Sequence, residues 1–460
     1  MMTRRIKLLA TVAIIYFNVS GGPYGLEDLV AAGPGLALLM LVATPLAWSA
    51  PVALVCAELG TAIPAEGGYY AWAKRALGPF GAYCQGWWAW LYTLVDIGLY
   101  PTMFCEYLAH FFPEVGAGGD PVLRRAVMLA MIWGFVLLNL RGAVTVARFA
   151  ETFVVVVLAP FAIMVAVGLW RLATGGMEFS PVRPFLAEGL TFQSAFASAV
   201  PIVLWNYLGW DAISTIAGEM EDPRRNYPRA LAIVGVAVML SYVLPVLIAL
   251  CFVGNAIPQD APAVEWTAGA WSQVVAHVVG PWLGSAVAAT GMVSAVGLYA
   301  ALVLVYSRVP FVMSFDGYLP RSLTHVNKRD APYVSLIVSG LIYSGVVLSF
   351  DDFESLAVAD VTMYAAMVSL ELASFLVLRW REPDLPRPFH IHGGWPVAIL
   401  ICVLPLGVVG LAAYCVVLES GVFEVLGKAA LIMAAPLPFY PFIAARRRSQ
   451  SALPPASADA

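Results

Sequence analysis

The sequence predicts an all-α fold, a polytopic membrane protein with about twelve transmembrane helices. Three observations predict it. Hydrophobic residues make up 61% of the 460 residues and charged residues only 12%, about half the charged share of a typical globular domain. The apolar residues gather in runs of roughly 18–30, the length that an α-helix needs to cross a hydrocarbon layer about 30 Å thick. The basic residues fall unevenly on alternate connections between those runs. Net charge is −4, so there is no bulk attraction to nucleic acid and no such partner is expected.

The first run, 6–32, opens around Arg4, Arg5 and Lys7 and looks like a secretory signal. Yet residues 16–25 offer no small-x-small cleavage site and the next run follows at once, so it is read as a retained span. Runs at 34–58, 81–111, 122–140 and 149–170 complete a first set of five, within a repeat of about 6–172. Runs at 190–219, 230–253, 281–314, 333–350 and 354–378 form a second set, within about 190–380. Two further helices, 395–418 and 421–443, close a single membrane domain over 1–448. The Ser-, Ala- and Pro-rich segment 449–460 is expected to be a disordered cytoplasmic tail.

With the amino terminus in the cytoplasm, twenty of the 25 lysines and arginines fall on inside segments, from Arg4 to Arg448. Only Arg124, Arg125, Arg171, Arg183 and Lys428 fall outside. This asymmetry predicts an even number of spans with both termini cytoplasmic; a plasma (inner) membrane location is expected besides. The six cysteines sit singly inside apolar runs. They read as packing residues, with no disulfide framework, metal site or cofactor expected.

Two runs are interrupted at mid-membrane. The first contains Ser20-Gly21-Gly22-Pro23-Tyr24-Gly25, the sixth Asn206-Tyr207-Leu208-Gly209-Trp210-Asp211. Glycine and proline there free backbone groups that lipid tolerates only against protein or a water-filled cavity. Breaks at matching positions of two five-span halves point to a solute site between inverted repeats.

These residues resemble the amino acid–polyamine–organocation superfamily. Residues 20–25 take the place of its GSGIFG-like first-span break. Ala57-Glu58-Leu59 with Pro64-Ala65-Glu66-Gly67-Gly68-Tyr69 resembles its second-span signature, and 205–223 (WNYLGWDAISTIAGEMEDP) its sixth-span pattern. Ser307-Arg308 with Asp316-Gly317-Tyr318-Leu319-Pro320 resembles its SR…DG-x-LP motif. The likeness covers about the first 390 residues. Ser20 and Pro23 depart from the usual family residues. Residues 22–28, 85–87, 96–101 (DIGLYP) and 205–215 are most similar to the branch holding plant and protist polyamine uptake transporters. The resemblance implies a leucine-transporter-like 5+5 inverted repeat with broken helices 1 and 6. It also implies that Trp205 matches an aromatic that packs on cationic substrate in a relative, and Asp211 an acid tied to gating or proton response.

Independently of any family, Asp96, Glu106, Asp211 and Asp360 lie inside apolar runs. Each costs about 2.5–3.5 kcal/mol at a helix centre. No lysine or arginine is expected at comparable depth, so neutralisation, water, hydrogen bonds or a cationic ligand must compensate. Asp96 and Glu106 stand roughly 15 Å apart along a helix. Asp360 and Tyr364 share a face and can converge on one amine. Glu27 and Asp28 read either as outer-end solvated groups or as part of the site. Glu58, Glu219, Glu221 and Glu371 read as structural or gating groups.

The expectation is a secondary transporter, not an enzyme, taking up small organic amines of the putrescine or spermidine kind by alternating access, linked to protons. A neutral or cationic amino-acid permease is the alternative, and uniport, symport and exchange stay open. Substrate contacts are expected at Ser20, Gly21, Gly22, Pro23, Tyr24, Gly25, Glu106, Trp205, Asn206, Tyr207, Asp360 and Tyr364, with coupling or gating at Asp96 and Asp211. No HExxH or GxSxG pattern appears.

Overall fold

The structure, a computed structural model, describes residues 6–116, 118–253, 266–267, 269–349, 353–420 and 427–451. Among these no β-strand occurs, and one isolated bridge joins Ile6 to Met220. The chain opens with α1 (Leu8–Val19) and α2 (Glu27–Ala31), then α3 (Pro34–Thr44) passes through a π-helical turn (Pro45–Ser49) into α4 (Ala50–Ala62). There follow α5 (Tyr69–Leu108), α6 (Pro121–Asn139), α7 (Ala143–Gly175) and α8 (Phe192–Trp205). A 3₁₀ segment (Ala212–Glu219) leads to α9 (Pro223–Phe252), α10 (Trp271–Val278), α11 (Pro281–Tyr306) and α12 (Arg308–Phe315). The chain ends in α13 (Tyr333–Ser349), α14 (Phe353–Arg381), α15 (Gly394–Ser420), α16 (Lys428–Ala434) and α17 (Tyr440–Ser451).

Helix starts follow local chemistry. Prolines open α3, α6, α9 and α11, where a helix has no use for the missing N–H. Asp120 caps α6 by accepting from the amides of Val122 and Leu123 at 2.8 and 3.3 Å. Thr191 and Ser194 form a capping box on α8.

Among the described residues, seven helices are long and apolar enough to cross a membrane unaided, against about twelve expected spans. The difference has physical causes. The first and sixth runs are cut into pieces, leaving Leu8–Val19 and Phe192–Trp205 below the required length. Tyr333–Leu348 is also short, the third run lies in α5, which is long enough but not apolar enough to count, and residues 421–426 of the last run lie outside the described residues. The expected tail is helical as far as Ser451, and 452–460 lie outside the described residues.

Polarity is inverted relative to a water-soluble protein. Leu39, Leu46, Val155, Trp170, Val236 and Leu400 are exposed, whereas Asn18, Asp96, Asp211, Asp360 and Glu371 are buried. That is the arrangement lipid favours. At the centre stands α11, with 83% of its most apolar window buried against 22% for α6 and 28% for α7 and α15. It packs on α5, which also carries α14, while α1 lies against α7 and α9.

Ion pairs tie the basic connections together. Arg308 Nε meets Glu219 at 3.0 Å, and Arg379 and Arg387 hold Glu58 at 2.5 and 3.2 Å. Lys74–Asp316 and Arg75–Glu382 each close at 2.6 Å nearer the surface.

Candidate functional site

α1 stops at Val19 because Ser20 is extended and Gly22 and Gly25 take φ of +91° and +85°, conformations that suit glycine. α8 stops at Trp205, and Gly209 takes φ +87°. The two breaks pack on one another. A Cβ on Gly209 would lie 2.1 Å from the Asn18 carbonyl oxygen, and one on Gly25 2.6 Å from the Trp205 ring. Asn206 Nδ2 donates to the Gly25 carbonyl at 3.0 Å, stitching the breaks together.

Side chains from neighbouring helices satisfy the freed carbonyls, as a dry interior requires. Ser294 donates to Gly21 at 2.5 Å, Trp271 to Pro23 at 2.7 Å and Tyr242 to Asn206 at 2.8 Å. The Tyr207 carbonyl accepts from Trp48 and Trp210 at 3.1 and 2.9 Å, and the Tyr207 hydroxyl donates to Leu41 at 2.9 Å. Tyr24 reaches α11, its hydroxyl donating to Val287 at 2.9 Å and lying 2.7 Å from Thr290.

Beside this junction lies a cavity walled by Asn18, Gly21, Tyr24, Tyr92, Asp96, Tyr100, Trp205, Asn206 and Tyr242 among others. It offers about 20 Å³ to the centre of a water-sized sphere, room for about one water. Asp96 supplies the carboxylate of this wall. Tyr100, one turn on, donates to Oδ1 at 2.8 Å, and Tyr306 from α11 donates to Oδ2 at 2.8 Å. The Trp205 indole also bonds Asp96. Trp205 and Tyr100 rings lie 6.3 Å apart at 30°. Both polar atoms of the Asn18 side chain are buried without a hydrogen-bond partner among the described residues.

Of the residues expected at the site, the structure brings Gly21, Tyr24, Trp205, Asn206 and Asp96 to this cavity. Ser20, Gly22, Pro23, Gly25 and Tyr207 shape the breaks behind it; Ser20 Oγ accepts from the Gly22 amide at 3.1 Å. Asp360 is fully buried, and neither oxygen has a hydrogen-bond partner among the described residues. It lies within electrostatic range of Asp96 and Tyr92. Tyr364 does not join Asp360. Its hydroxyl donates instead to Oδ1 of Asp211 and accepts from the Gly209 amide at 3.2 Å.

Glu106 requires a correction. It was expected to lack a basic partner, but Arg124 from the start of α6 meets it at 2.6 Å, and Glu106 is not part of the cavity wall. Its charge is already compensated. Glu27, by contrast, is buried, accepting from Gly25 N at 2.6 Å, Tyr107 OH at 2.5 Å and Gly269 N at 3.3 Å. Sequence reasoning missed Asn18, Tyr92, Tyr242 and Tyr306. Tyr100 was open to discovery, since it stands four residues from Asp96; Tyr306 is 210 positions away and gave no local signal.

Comparison with known proteins points the same way. The sequence profile of the family described as amino acid permease matches residues 6–424. A probable polyamine transporter of Arabidopsis thaliana is 34% identical over 431 residues, covering 92% of this chain and 83% of that protein. The polyamine transporter RMV1 of Arabidopsis thaliana is 32% identical over 88% of this chain and 80% of its own length. The polyamine transporter PUT1 of rice, Oryza sativa subsp. japonica, is 32% identical over 88% of this chain and 73% of its own length.

Proposed function

Because the chain belongs to the amino acid permease family, and is thus a membrane transporter and not an enzyme, we propose that it carries small organic amines, polyamines above all. In this reading transport is secondary, proton-linked and by alternating access. The topology is leucine-transporter-like, with twelve spans, two inverted five-helix repeats and both termini in the cytoplasm at the plasma membrane. Asp96 is the observation that carries the amine reading. It is a buried carboxylate on an aromatic-walled cavity, bonded to phenols and an indole and, among the described residues, to no cation. An ammonium group complements that carboxylate in charge, and Trp205 and Tyr100 offer ring faces to it. Asn18 adds an uncommitted amide, and Asp360 a second acid for a second ammonium. The names of the relatives support the same substrate class.

For a dication, a potential of about 150 mV supplies roughly 7 kcal/mol, so the voltage itself favours uptake. A second reading, an amino-acid permease, is favoured by Gly21. The backbone of the first break reaches the same cavity and can take a carboxylate while Asp96 takes one ammonium. Uptake of labelled putrescine, spermidine, alanine and leucine by the purified protein in liposomes separates the two. Saturable putrescine uptake is expected. Transport of alanine or leucine with no response to either polyamine refutes the polyamine reading.

A further inference from the structure

On the side of the sixth-span break turned away from the Asp96 cavity, Tyr207 and Trp210 form the floor of an apolar groove. It runs between the π-helical turn with α4 on one side and α9 on the other, and has a volume of about 430 Å³. Small residues make the hollow: Ala50, Ala53 and Ala57 line it from α4, Ala232 and Gly235 from α9. Leu46 and Val236 are its lips, 65% and 62% exposed. The floor residues are buried, and their side-chain polar atoms are committed, Tyr207 to the Leu41 carbonyl and Trp210 to the Tyr207 carbonyl. Further in, α4 and α9 touch, since a Cβ on Gly60 would lie 2.2 Å from the Tyr227 ring. The hollow is therefore on the lipid-facing side, where hydrocarbon and not water has to fill it.

On α9 the lining positions are 228, 231, 232, 235, 236 and 239, a single stripe of the helix. From Pro228 to Met239 the stripe runs about 16 Å, close to half of a hydrocarbon layer about 30 Å thick. The groove thus matches one acyl chain crossing one leaflet. One turn before Pro228 the same stripe continues to Arg224 and Arg225, both exposed. Neither is in an ion pair among the described residues. Phe389, whose amide donates to Thr61 near the end of α4, closes this end of the groove. With Arg229, the start of α9 carries three basic residues against the two acids that precede them, Glu221 and Asp222. Guanidinium groups at the mouth of a chain-length groove suit a phosphate, which they can hold through paired hydrogen bonds.

We propose that this groove is a site for one anionic glycerophospholipid. An acyl chain lies between α4 and α9 against Tyr207 and Trp210, and Arg224 and Arg225 hold the phosphate. A zwitterionic lipid has the same chain, but the cation in its own headgroup offsets the phosphate, so the two arginines select for net negative charge. The site is separate from the Asp96 cavity and depends only on the chain lying in a membrane, so its failure leaves the substrate reading untouched.

The test is native mass spectrometry of the full chain, purified from vesicles of phosphatidylcholine mixed with phosphatidylglycerol. The wild type is expected to retain one phosphatidylglycerol, preferred about tenfold over phosphatidylcholine. Arg224→Gln with Arg225→Gln should bring that preference to about one, and the corresponding pair of lysine substitutions should keep most of it. Gly235→Leu fills the groove from within. A Cβ there meets nothing within 4 Å, so the variant is expected to keep its thermal midpoint and to lose the retained lipid of either kind. Equal retention of the two lipids by the wild type, a measurement that needs no variant, overturns the proposal. So does a phosphatidylglycerol preference that survives either the glutamine pair or Gly235→Leu. A dimer mass in place of bound lipid, dissolved by Gly235→Leu, gives the groove to a second copy of the chain and overturns it as well.

Discussion

Asp96 and Glu106 share α5 and stand ten residues apart, about 2.8 turns, so they leave the helix in different directions. One meets the aromatic cavity and the other meets Arg124. Sequence reading recognised both as acids in an apolar run. It could not see Arg124, because the turn between α5 and α6 brings a residue 18 positions on back against Glu106. The two acids therefore have different expected roles. Neutralising Asp96 removes a charged hydrogen bond to a buried ammonium, worth about 1.5–3 kcal/mol, or roughly a ten- to hundredfold rise in the putrescine dissociation constant. Glu106→Gln should shift it less than about twofold. Equilibrium binding to the purified variants checks both, and a large effect of Glu106→Gln with none from Asp96→Asn reverses the assignment.

The broken helices were the most legible elements, since glycine and proline inside an apolar run have few other uses. What the sequence did not reveal was the contact between the breaks, which depends on Gly209 lying directly on the Asn18 carbonyl. Gly78, within α5, provides a comparison. It also has positive φ, +76°, but a Cβ there meets nothing within 4 Å. Gly78→Ala thus carries only a backbone cost of about 1–3 kcal/mol. Gly209→Ala adds an overlap with fixed backbone, roughly another 1–3 kcal/mol, at the site itself. We expect Gly78→Ala to keep transport and Gly209→Ala to lose it, with a thermal midpoint in detergent lower than that of Gly78→Ala. Equal transport by the two variants contradicts this steric account. The span count of about twelve came from the lengths of whole apolar runs, whereas in the folded chain a helix cut at its middle leaves pieces too short to cross alone.

At the scale of the molecule, the charge asymmetry between alternate connections was plain in the sequence, whereas the pairing it serves was not. Glu58 and Arg379 are 321 positions apart, and Glu219 and Arg308 are 89 apart, so only the folded chain shows that the basic connections are clasped to buried acids. Reporter domains fused after residue 460 and within 255–270 should report opposite sides of the membrane, the former cytoplasmic; the same side for both refutes the topology. The cavity between the breaks has a consequence beyond recognition. Room for about one water is several times too little for the diamine proposed as substrate, so on that proposal α5, α8 and the first break must part before the solute enters and close again after it leaves. Each turnover therefore draws in and expels a small volume of solvent together with its cargo. Membrane-impermeant osmolyte on both faces opposes that swelling, which makes the turnover rate a measure of water activity as well as of substrate and voltage.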